Sequence, residues 1–331
     1  MQQPDSPAVL DTPTGQFFSL TPERVLDAVE LGGVHTTGLC YALNSLENRV
    51  YEVELDGGER VVAKFYRPQR WSREQILVEH RLLAALADAE IPVCPPRELK
   101  ASGTLATTPE GILFALFPRV GGRSPDELTL GEYEQLGRLL GRIHNVSSRI
   151  VGTARPPLSP ETYGRRALQA IFERAKVGEG LAARLRQAAE MLVTHAELRF
   201  AGVPSFLLHA DCHRGNLLKG SQGFFFLDFD DAAIGPAVQD FWLLLPARPK
   251  DCPDELGALV SGYEAFREFP HASVRLIEVL RALRYLRYAG WIAARWDDPA
   301  FSRAFPQFGT ESYWEGLLND LLEQASLVQE G

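Results

Sequence analysis

The sequence predicts an α+β protein of two unequal parts, and three observations support this prediction. Short apolar strands and tight turns alternate in the first third, whereas helical apolar spacing dominates afterwards. A length of 331 residues fits two domains of ordinary size. The chain is 45% hydrophobic and 23% charged, which excludes a disordered chain and a small disulfide-stapled scaffold. We expect an N-terminal arm over 1–19, a strand-rich N-lobe over 20–117, a connection over 118–122 and a mainly helical C-lobe over 123–331.

Local signals predict the elements of the N-lobe. Two helices are predicted over 22–31 and 72–89. Thr21 and Ser72 can cap their first turns. Two alternating segments, 51–55 and 60–65, enclose an Asp-Gly-Gly turn and predict a β-hairpin. A further apolar strand is expected over 112–117, before a proline and a glycine pair.

The C-lobe is predicted to be helical except for one stretch of short strands over 206–234. This stretch includes a hairpin of 217–219 and 224–228, joined by a glycine-containing turn. Asp240 begins an apolar run, and we expect it to cap a helix. Apolar residues recur at helical spacing over six segments: 130–147, 161–175, 181–198, 253–269, 273–294 and 311–328.

The charge balance and the cysteines exclude several classes of partner. A formal net charge of −9 argues against broad binding to nucleic-acid phosphates. The four cysteines are far apart and form no C-x-x-C pair, which favours a reducing compartment. The N-terminus does not resemble a signal peptide, and the apolar runs are too short to span a bilayer. We therefore expect a cytoplasmic monomer without nucleic-acid or membrane partners.

One stretch, LLHADCHRGNLLKGSQGFFFLDFDD over 207–231, places oxygen-bearing side chains beside short strands. Asp211 and Asn216 lie in a polar loop after an apolar strand, and Asp228 follows the predicted hairpin. Because the two ends of a hairpin lie close together, we expect these three side chains to converge. An amide and a carboxylate suit Mg²⁺ bound to phosphates, and a separate carboxylate can accept a hydroxyl proton. The pattern is typical of phosphoryl transfer.

Two other interpretations of this stretch remain open. Asp211 and Asn216 are also residue types that cap turns without any catalytic role. His209, Asp211 and His213 form H-x-D-x-H, a spacing that can hold a transition metal in a hydrolase. No other histidine lies in a further ligand motif, so the simpler interpretation is that His209 supports the loop and His213 flanks the site.

A second set of candidates lies in the N-lobe. Lys64 is part of an apolar strand, where a charge is costly unless it is paired, and Glu79 follows on the next predicted helix. A strand lysine paired with a helix glutamate is the kinase arrangement for holding nucleotide phosphates. The alternative is a lysine and a glutamate that both extend into solvent. Ser45 and Asn48 precede the hairpin and can offer hydrogen-bond donors to phosphates, although no glycine-rich motif is present.

Four arginines and four aromatic residues alternate on the helix predicted over 273–294 and just after it: Arg281, Arg284, Arg287, Arg295, Tyr285, Tyr288, Trp291 and Trp296. They can line a groove for the acceptor. A solvated helix face packed on the core is the simpler interpretation, because such stripes usually pack.

Several blocks of the sequence, taken together, resemble a known family. HADCHRGN and LDFDD are similar to the catalytic and metal-binding motifs of the aminoglycoside phosphotransferase and choline kinase superfamily. Further blocks are similar to one group within it, a family of bacterial serine/threonine protein kinases, and occur in the same order over about 20–328: NSLENRVYEVEL, VVAKFYRPQRWSREQILVEH, FPRVGGR, LGRLLGRIH, LHADCHRGN, DDAAIGPAVQDFWLLL and RWDDPAF. The resemblance implies a two-lobed protein-kinase-like fold, with a hinge over 118–122.

The resemblance also implies a role for each candidate. Asp211 would accept the proton of the substrate hydroxyl, and Asn216 and Asp228 would hold Mg²⁺, with Asp228 also counted among the catalytic acids. Lys64 would contact the phosphates of ATP with support from Glu79, and Ser45 would lie in the loop that covers them. Backbone over 116–119 would meet the adenine. The sequence lacks D-F-G and A-P-E, so regulation by an activation loop is in doubt.

We therefore predict an ATP- and Mg²⁺-dependent serine/threonine protein kinase of a bacterial stress response, acting on protein hydroxyls and on itself. One alternative is a small-molecule kinase acting on an amino alcohol, a sugar or an aminoglycoside-like compound. Another is a catalytically inactive ATP-binding module, against which the intact Lys64, Asp211, Asn216 and Asp228 argue.

Overall fold

The computed structural model describes residues 13–221 and 223–330. Its strands are β1 (Thr36–Ala42), β2 (Arg49–Leu55), β3 (Arg60–Phe65), β4 (Ala106–Thr107), β5 (Leu113–Pro118), β6 (Phe206–Leu208), β7 (Leu217–Gly220), β8 (Gly223–Phe226) and β9 (Ala233–Gly235). Its α-helices are α1 (Pro13–Phe18), α2 (Pro22–Leu31), α3 (Arg73–Asp88), α4 (Leu130–Ser147), α5 (Arg166–Arg174), α6 (Glu179–Phe200), α7 (Gln239–Trp242), α8 (Pro253–Glu264), α9 (Ile277–Ala294), α10 (Pro299–Ala304) and α11 (Glu311–Glu330).

The chain divides into two compact units. The first comprises the described residues up to Glu127 together with Arg149–Ala154 and Arg214–Asp230, and the second comprises the remainder. A strand-rich first part and a helical second part confirm the predicted α+β class. The predicted lobe and hinge boundaries stay predictions, and the compact units are drawn differently. In particular, Arg214–Asp230, which we expected in the helical lobe, belongs to the sheet-containing unit.

The first unit is built on a five-stranded antiparallel sheet of order β1-β2-β3-β5-β4. The predicted hairpin is confirmed, since Val50 pairs with Lys64 in the register of β2 and β3. Strand β1 was not predicted. It is an edge strand with mostly exposed residues and an irregular register between Thr36 and Cys40, so it lacks the alternation that marks a half-buried strand.

The helices of the first unit begin where the capping residues predict. Thr21 accepts a hydrogen bond from the backbone of Arg24, and Ser72 forms a reciprocal capping box with Gln75. The N-terminal arm expected over 1–19 stays a prediction, but from Pro13 onwards it includes α1, which places Phe17 in the core with no exposed surface. The rest of that expectation, over 1–12, lies outside the described residues.

A second hairpin completes the first unit. Strands β7 and β8 pair antiparallel with Leu217 opposite Phe226, close to the prediction. The backbone of Phe226 donates to the carbonyl of Pro92, and Arg123 and Lys219 exchange backbone hydrogen bonds of 2.8 and 3.2 Å. The hairpin is therefore anchored within the first unit at both strands.

The second unit is helical around the short antiparallel pair β6 and β9. Its predicted helices are present, but at three of their ends the helix boundary differs clearly from the prediction. Residues 160–165 form a π-helical turn before α5, and residues 271–276 form a 3-10 helix before α9. Helix α8 ends at Glu264 instead of 269, and Ala265 is its C-cap. Within the described part of the chain, no helix is long and apolar enough to cross a membrane.

Candidate active site

The first unit contains a cavity of about 440 Å³ against one face of its sheet. Its wall includes five of the predicted site residues, which come from four different parts of the unit. They are Ser45 before β2, Lys64 on β3, Glu79 on α3, and Asn216 and Asp228 at the two ends of the β7–β8 hairpin.

Lys64 lies at the centre of a cluster of carboxylates. Its Nζ is 3.3 Å from Glu79, 3.2 Å from Asp228 and 3.3 Å from Asp230. Burial favours the neutral amine, but the negative charges of Asp230, Glu79 and Asp228 outweigh it and raise the pKa of Lys64 well above its ordinary value. The ammonium is therefore charged at physiological pH. A lysine that extends into solvent is excluded, because only 7% of Lys64 is exposed.

The β7–β8 hairpin brings its two ends together as the sequence predicts. The backbone N–H of Leu227 donates to the carbonyl of Asn216 at 2.8 Å, which brings the end of the hairpin that leads to Asp228 beside the end that carries Asn216. Asp228 has a positive φ of 56°, a conformation that costs a non-glycine residue about 1 kcal/mol. Its carboxylate is 56% exposed, so solvent and ligands can reach it.

Asn216 and Asp228 are chemically suited to Mg²⁺. They offer an amide oxygen and a carboxylate oxygen, the hard donors that this ion prefers, and leave coordination positions for water and phosphate. In the described parts of the chain, no group of three or more His, Cys, Asp or Glu side chains could hold a metal ion. A fully protein-bound metal is therefore not supported, whereas a two-ligand site shared with a nucleotide fits the donor set.

The connection after β5 forms another part of the cavity wall. Phe117, Pro118, Arg119 and Val120 all line the cavity, which is where the adenine contact was predicted. The Arg119 guanidinium donates to Glu52 on β2 at 3.0 Å and contributes most to holding the pKa of that carboxyl below its usual value. This ion pair fixes the connection to the sheet.

Asp211 lies in the second unit, in a loop that follows β6. The buried carboxylate of Asp240 accepts hydrogen bonds from the backbone N–H of His209 at 3.0 Å and of Ala210 at 2.7 Å. It also contacts His144 Nε2 at 3.1 Å. Ala210 has a positive φ of 69°, so this support holds a strained backbone directly before Asp211.

The predicted role of Asp240 as a helix cap is wrong. Val238 occupies the N-cap position of α7, and Asp240 lies inside this short helix with no exposed surface. The prediction failed because its partners, His144, His209 and Ala210, are 30 to 96 positions away in sequence. The signal available in the sequence was a carboxylate within the apolar run PAVQDFWLLL, which requires buried donors.

The carboxylate of Asp211 has two charged neighbours within the second unit. Arg284 Nη1 donates to one oxygen at 2.8 Å, and His213 Nε2 lies 3.3 Å from the other. Burial by itself would raise the pKa of Asp211, but the hydrogen bond from His213 and the charge of Arg284 together hold it well below its usual range. Asp211 is therefore ionised at every physiological pH.

The H-x-D-x-H stretch does not form a metal site. His209 is buried, and its Nδ1 accepts a hydrogen bond from the backbone of Asp211 at 3.3 Å. This ring supports the loop, as the simpler interpretation held. His213 is paired with Asp211, and no three-ligand group exists in the described residues.

Two arginines of α9 pair with carboxylates. Neither the interpretation as an acceptor groove nor that as a solvated helix face predicted these pairs. Arg284 binds Asp211, and Arg287 donates to Asp231 at 3.1 Å while its guanidinium stacks 4.2 Å from the centre of the Tyr163 ring. They are half-exposed, but each neutralises a carboxylate of the Asp211–Asp231 stretch. Sequence reasoning missed these pairs because their members are 73 and 56 positions apart in the chain.

The structure thus groups five predicted site residues in one cavity of the first unit and places Asp211 in the second unit. The convergence of Asp211 with Asn216 and Asp228 stays a prediction.

Fold and sequence together define the class of the protein. The chain belongs to the phosphotransferase enzyme family, whose sequence model matches residues 42–305. Curated relatives cover nearly the whole chain. Stress response kinase A of Escherichia coli K12 is 36% identical over 315 residues, covering 95% of both chains. The serine/threonine protein kinase RdoA of Salmonella typhimurium is 36% identical with the same coverage.

Solved structures of low sequence identity share the fold. The amicoumacin kinase hAmiN, in complex with AMP-PNP, Ca²⁺ and Ami, superposes with a TM-score of 0.73 at 18% identity, covering 90% of this chain and 92% of that one. The spectinomycin phosphotransferase APH(9)-Ia, in complex with ADP and spectinomycin, superposes with a TM-score of 0.65 at 14% identity, covering 91% and 98%. These similarities agree with the predicted fold class.

Proposed function

We propose that this protein is an ATP-dependent serine/threonine protein kinase of a bacterial stress response, transferring the γ-phosphoryl group to protein hydroxyls. The relatives with 36% identity over 95% of the chain support this acceptor class. The observation that supports the chemistry is the buried Lys64 in one cavity with Asn216 and Asp228, since a fixed ammonium and two metal ligands serve a nucleotide triphosphate.

Each residue has a proposed role in the reaction. Lys64, held by Glu79, binds nucleotide phosphates, and Ser45 donates to them from the loop above. Asn216 and Asp228 would hold Mg²⁺, which neutralises phosphate charge when bound. Asp211 orients the acceptor hydroxyl and takes its proton as the bond from the acceptor oxygen to the γ-phosphorus forms and the bond from that phosphorus to the oxygen of the leaving ADP breaks. Catalysis of this kind depends mainly on positioning and charge neutralisation.

The surroundings of Asp211 favour a protein acceptor over the cationic small-molecule alternative. An ammonium-bearing acceptor requires carboxylates that are not already paired with cations. Here Arg284 is bound to Asp211 and Arg287 to Asp231. We also propose that the protein acts in the cytoplasm as a monomer and that it phosphorylates itself.

The test is Asp211→Ala in the full chain, with transfer of radiolabelled phosphate and binding of ATP measured separately. Transfer to a generic protein substrate and to the kinase itself should be abolished, while ATP affinity stays within about twofold, because Asp211 acts on the acceptor. Near-normal transfer in this variant would contradict the assignment of the base.

A panel of amino alcohols, sugars and aminoglycosides assayed beside the protein substrate separates the two acceptor classes. Transfer to an alcohol of the panel but not to protein would replace the proposal with its alternative. Binding of ATP without any turnover, whether Mg²⁺ is present or absent, would favour an inactive nucleotide-binding module.

A further inference from the structure

Two arginines that follow β3, neither of which has a role in the proposed reaction, lie in a buried charge network. Arg67 and Arg70 belong to the stretch KFYRPQRW, and their side chains are only 9% and 6% exposed. Between them, Gln69 has a positive φ of 66°. A left-handed residue that is not glycine costs about 1 kcal/mol, so neighbouring contacts must hold this turn.

Arg67 binds the loop that precedes β2, residues 43–48, which we name the covering loop. Its guanidinium donates to the carbonyls of Leu46 at 3.0 Å and Glu47 at 2.9 Å, and pairs with the Glu47 carboxylate at 3.0 Å. Its backbone N–H donates to Asn48 Oδ1 at 3.2 Å. The covering loop, which includes Ser45, is thus bound to the turn after β3 by four contacts.

Arg70 connects this loop to a single buried carboxylate. The side chain of Asp230 is 3% exposed, and one of its oxygens pairs with Arg70 Nη1 and accepts from Asn48 Nδ2 at 3.0 Å. Its other oxygen lies 3.3 Å from Lys64 Nζ. Arg70 Nε also lies 3.6 Å from the Glu47 carboxylate. One carboxylate therefore holds the covering loop, the turn after β3 and Lys64 at once.

We infer that Asp230 and Arg70 are positioning residues that hold Lys64 and the covering loop in the arrangement that receives nucleotide phosphates. Neither residue is among the described residues that line the cavity, so both act through others. Asp230 also follows the candidate metal ligand Asp228 by two positions, which connects the same segment to the metal site. The inference rests on the proposed function, because a nucleotide is the ligand that it concerns.

The experiment compares the binding of two ligands by calorimetry in the wild type and in Arg70→Gln. One ligand is a non-hydrolysable ATP analogue with Mg²⁺, and the other is adenosine, which has no phosphates. The analogue should bind at least about tenfold more weakly, as expected for loss of a buried charge-assisted hydrogen bond. The affinity for adenosine should change less than twofold, and amide exchange over 43–48 should become faster.

A matched control lies three residues further along the chain. Arg73 donates to the carbonyl of Leu105 at 3.0 Å and to Thr107 Oγ1 at 2.8 Å, without contact to the covering loop. Arg73→Gln removes the same charge in the same unit and should leave binding of both ligands within twofold. Arg70→Lys keeps the charge but not the two-pronged geometry, and should give an intermediate loss for the ATP analogue. If Arg70→Gln does not fold, Arg70→Lys is the second variant on which the same measurements are made.

Equal weakening for adenosine and the ATP analogue would overturn the inference, since it indicates general destabilisation of the cavity. Unchanged binding of the ATP analogue in both Arg70 variants would also overturn it. These results differ from failure of the proposed function, in which the wild type itself does not bind the ATP analogue.

Discussion

Lys64 is a buried lysine that keeps its positive charge because of the carboxylates around it. Its ammonium has lost most of its contact with water, yet three carboxylates surround it and raise its pKa. A buried charge of this kind is stable only while its partners remain, since breaking such a pair costs about 3–5 kcal/mol. The residue therefore serves as a fixed positive charge in the cavity.

Asp211 is the second residue whose ionisation depends on its neighbours, and this dependence can be tested by pH. In Arg284→Gln the pKa of Asp211 should rise, because the charge of Arg284 helps to lower it. The carboxylate of the wild type remains ionised as pH falls to its depressed pKa. The carboxylate of Asp211 should therefore become protonated at a higher pH in the variant than in the wild type, although His213 still lowers its pKa in both proteins.

The measurement is an NMR titration of the Asp211 side-chain carboxyl carbon in both proteins, followed down to the lowest pH at which they stay folded. A matched control is Arg184→Gln, which removes a charge from the exposed face of α6. Identical titration curves of Asp211 in the wild type and Arg284→Gln would show that Arg284 does not lower the pKa of this carboxyl.

At the scale of elements, two helices of the second unit pack at unusually short distance. A Cβ on Gly137 of α4 would lie 2.0 Å from the carbonyl oxygen of Leu259 on α8, and a Cβ on Gly262 of α8 would lie 2.0 Å from that of Glu134 on α4. Because the nearest atoms belong to the backbone of the other helix, a change of side-chain rotamer cannot relieve the contact. These glycines are therefore required by packing, although each lowers helix propensity.

Gly137→Ala should destabilise the protein by about 2–3 kcal/mol, because the helices must move apart against a gain in propensity of about 1 kcal/mol. Urea unfolding followed by circular dichroism measures the change. Gly316→Ala is the control. It lies in α11 with no heavy atom within 4 Å of the added methyl group, and should be stabilising by up to about 1 kcal/mol. Equal effects of the two substitutions would contradict the close packing.

At the scale of the whole molecule, the first unit is assembled from three separate stretches of chain. Arg214–Asp230 supplies both candidate metal ligands to a unit whose sheet lies in the first 127 residues. A ligand in its cavity therefore contacts residues separated by more than 150 positions, such as Lys64 and Asp228. Binding should stabilise contacts that are distant in sequence.

An ATP analogue with Mg²⁺ at about 100 times its dissociation constant should stabilise the protein by about 2.7 kcal/mol. Thermal unfolding measures this shift, and hydrogen exchange should locate the protection at the segments that line the cavity, including 43–52 and 216–229. Lys64→Met should remove most of the shift. Protection confined to helices of the second unit would contradict the proposed nucleotide site.

Elements with local signals could be predicted from the sequence. The Asp-Gly-Gly hairpin, the capped helices α2 and α3, and α4 over Leu130–Ser147 all lie where capping and apolar spacing predict. The grouping of Lys64 with Glu79, and of Asn216 with Asp228, was also predictable. A charge in an apolar strand needs a partner, and a hairpin joins its own ends.

Contacts between residues distant in sequence could not be predicted and are visible only in the folded chain. The support of Asp211 by Asp240 and Arg284, and the anchoring of the covering loop to Asp230 through Arg70, have no local signal. The edge strand β1 was missed because its exposed residues do not alternate, and α1 because the burial of Phe17 depends on the rest of the core. Capping, turns and periodicity are properties of neighbouring residues, whereas the pairing of buried charges depends on which distant donors the fold brings within hydrogen-bonding distance.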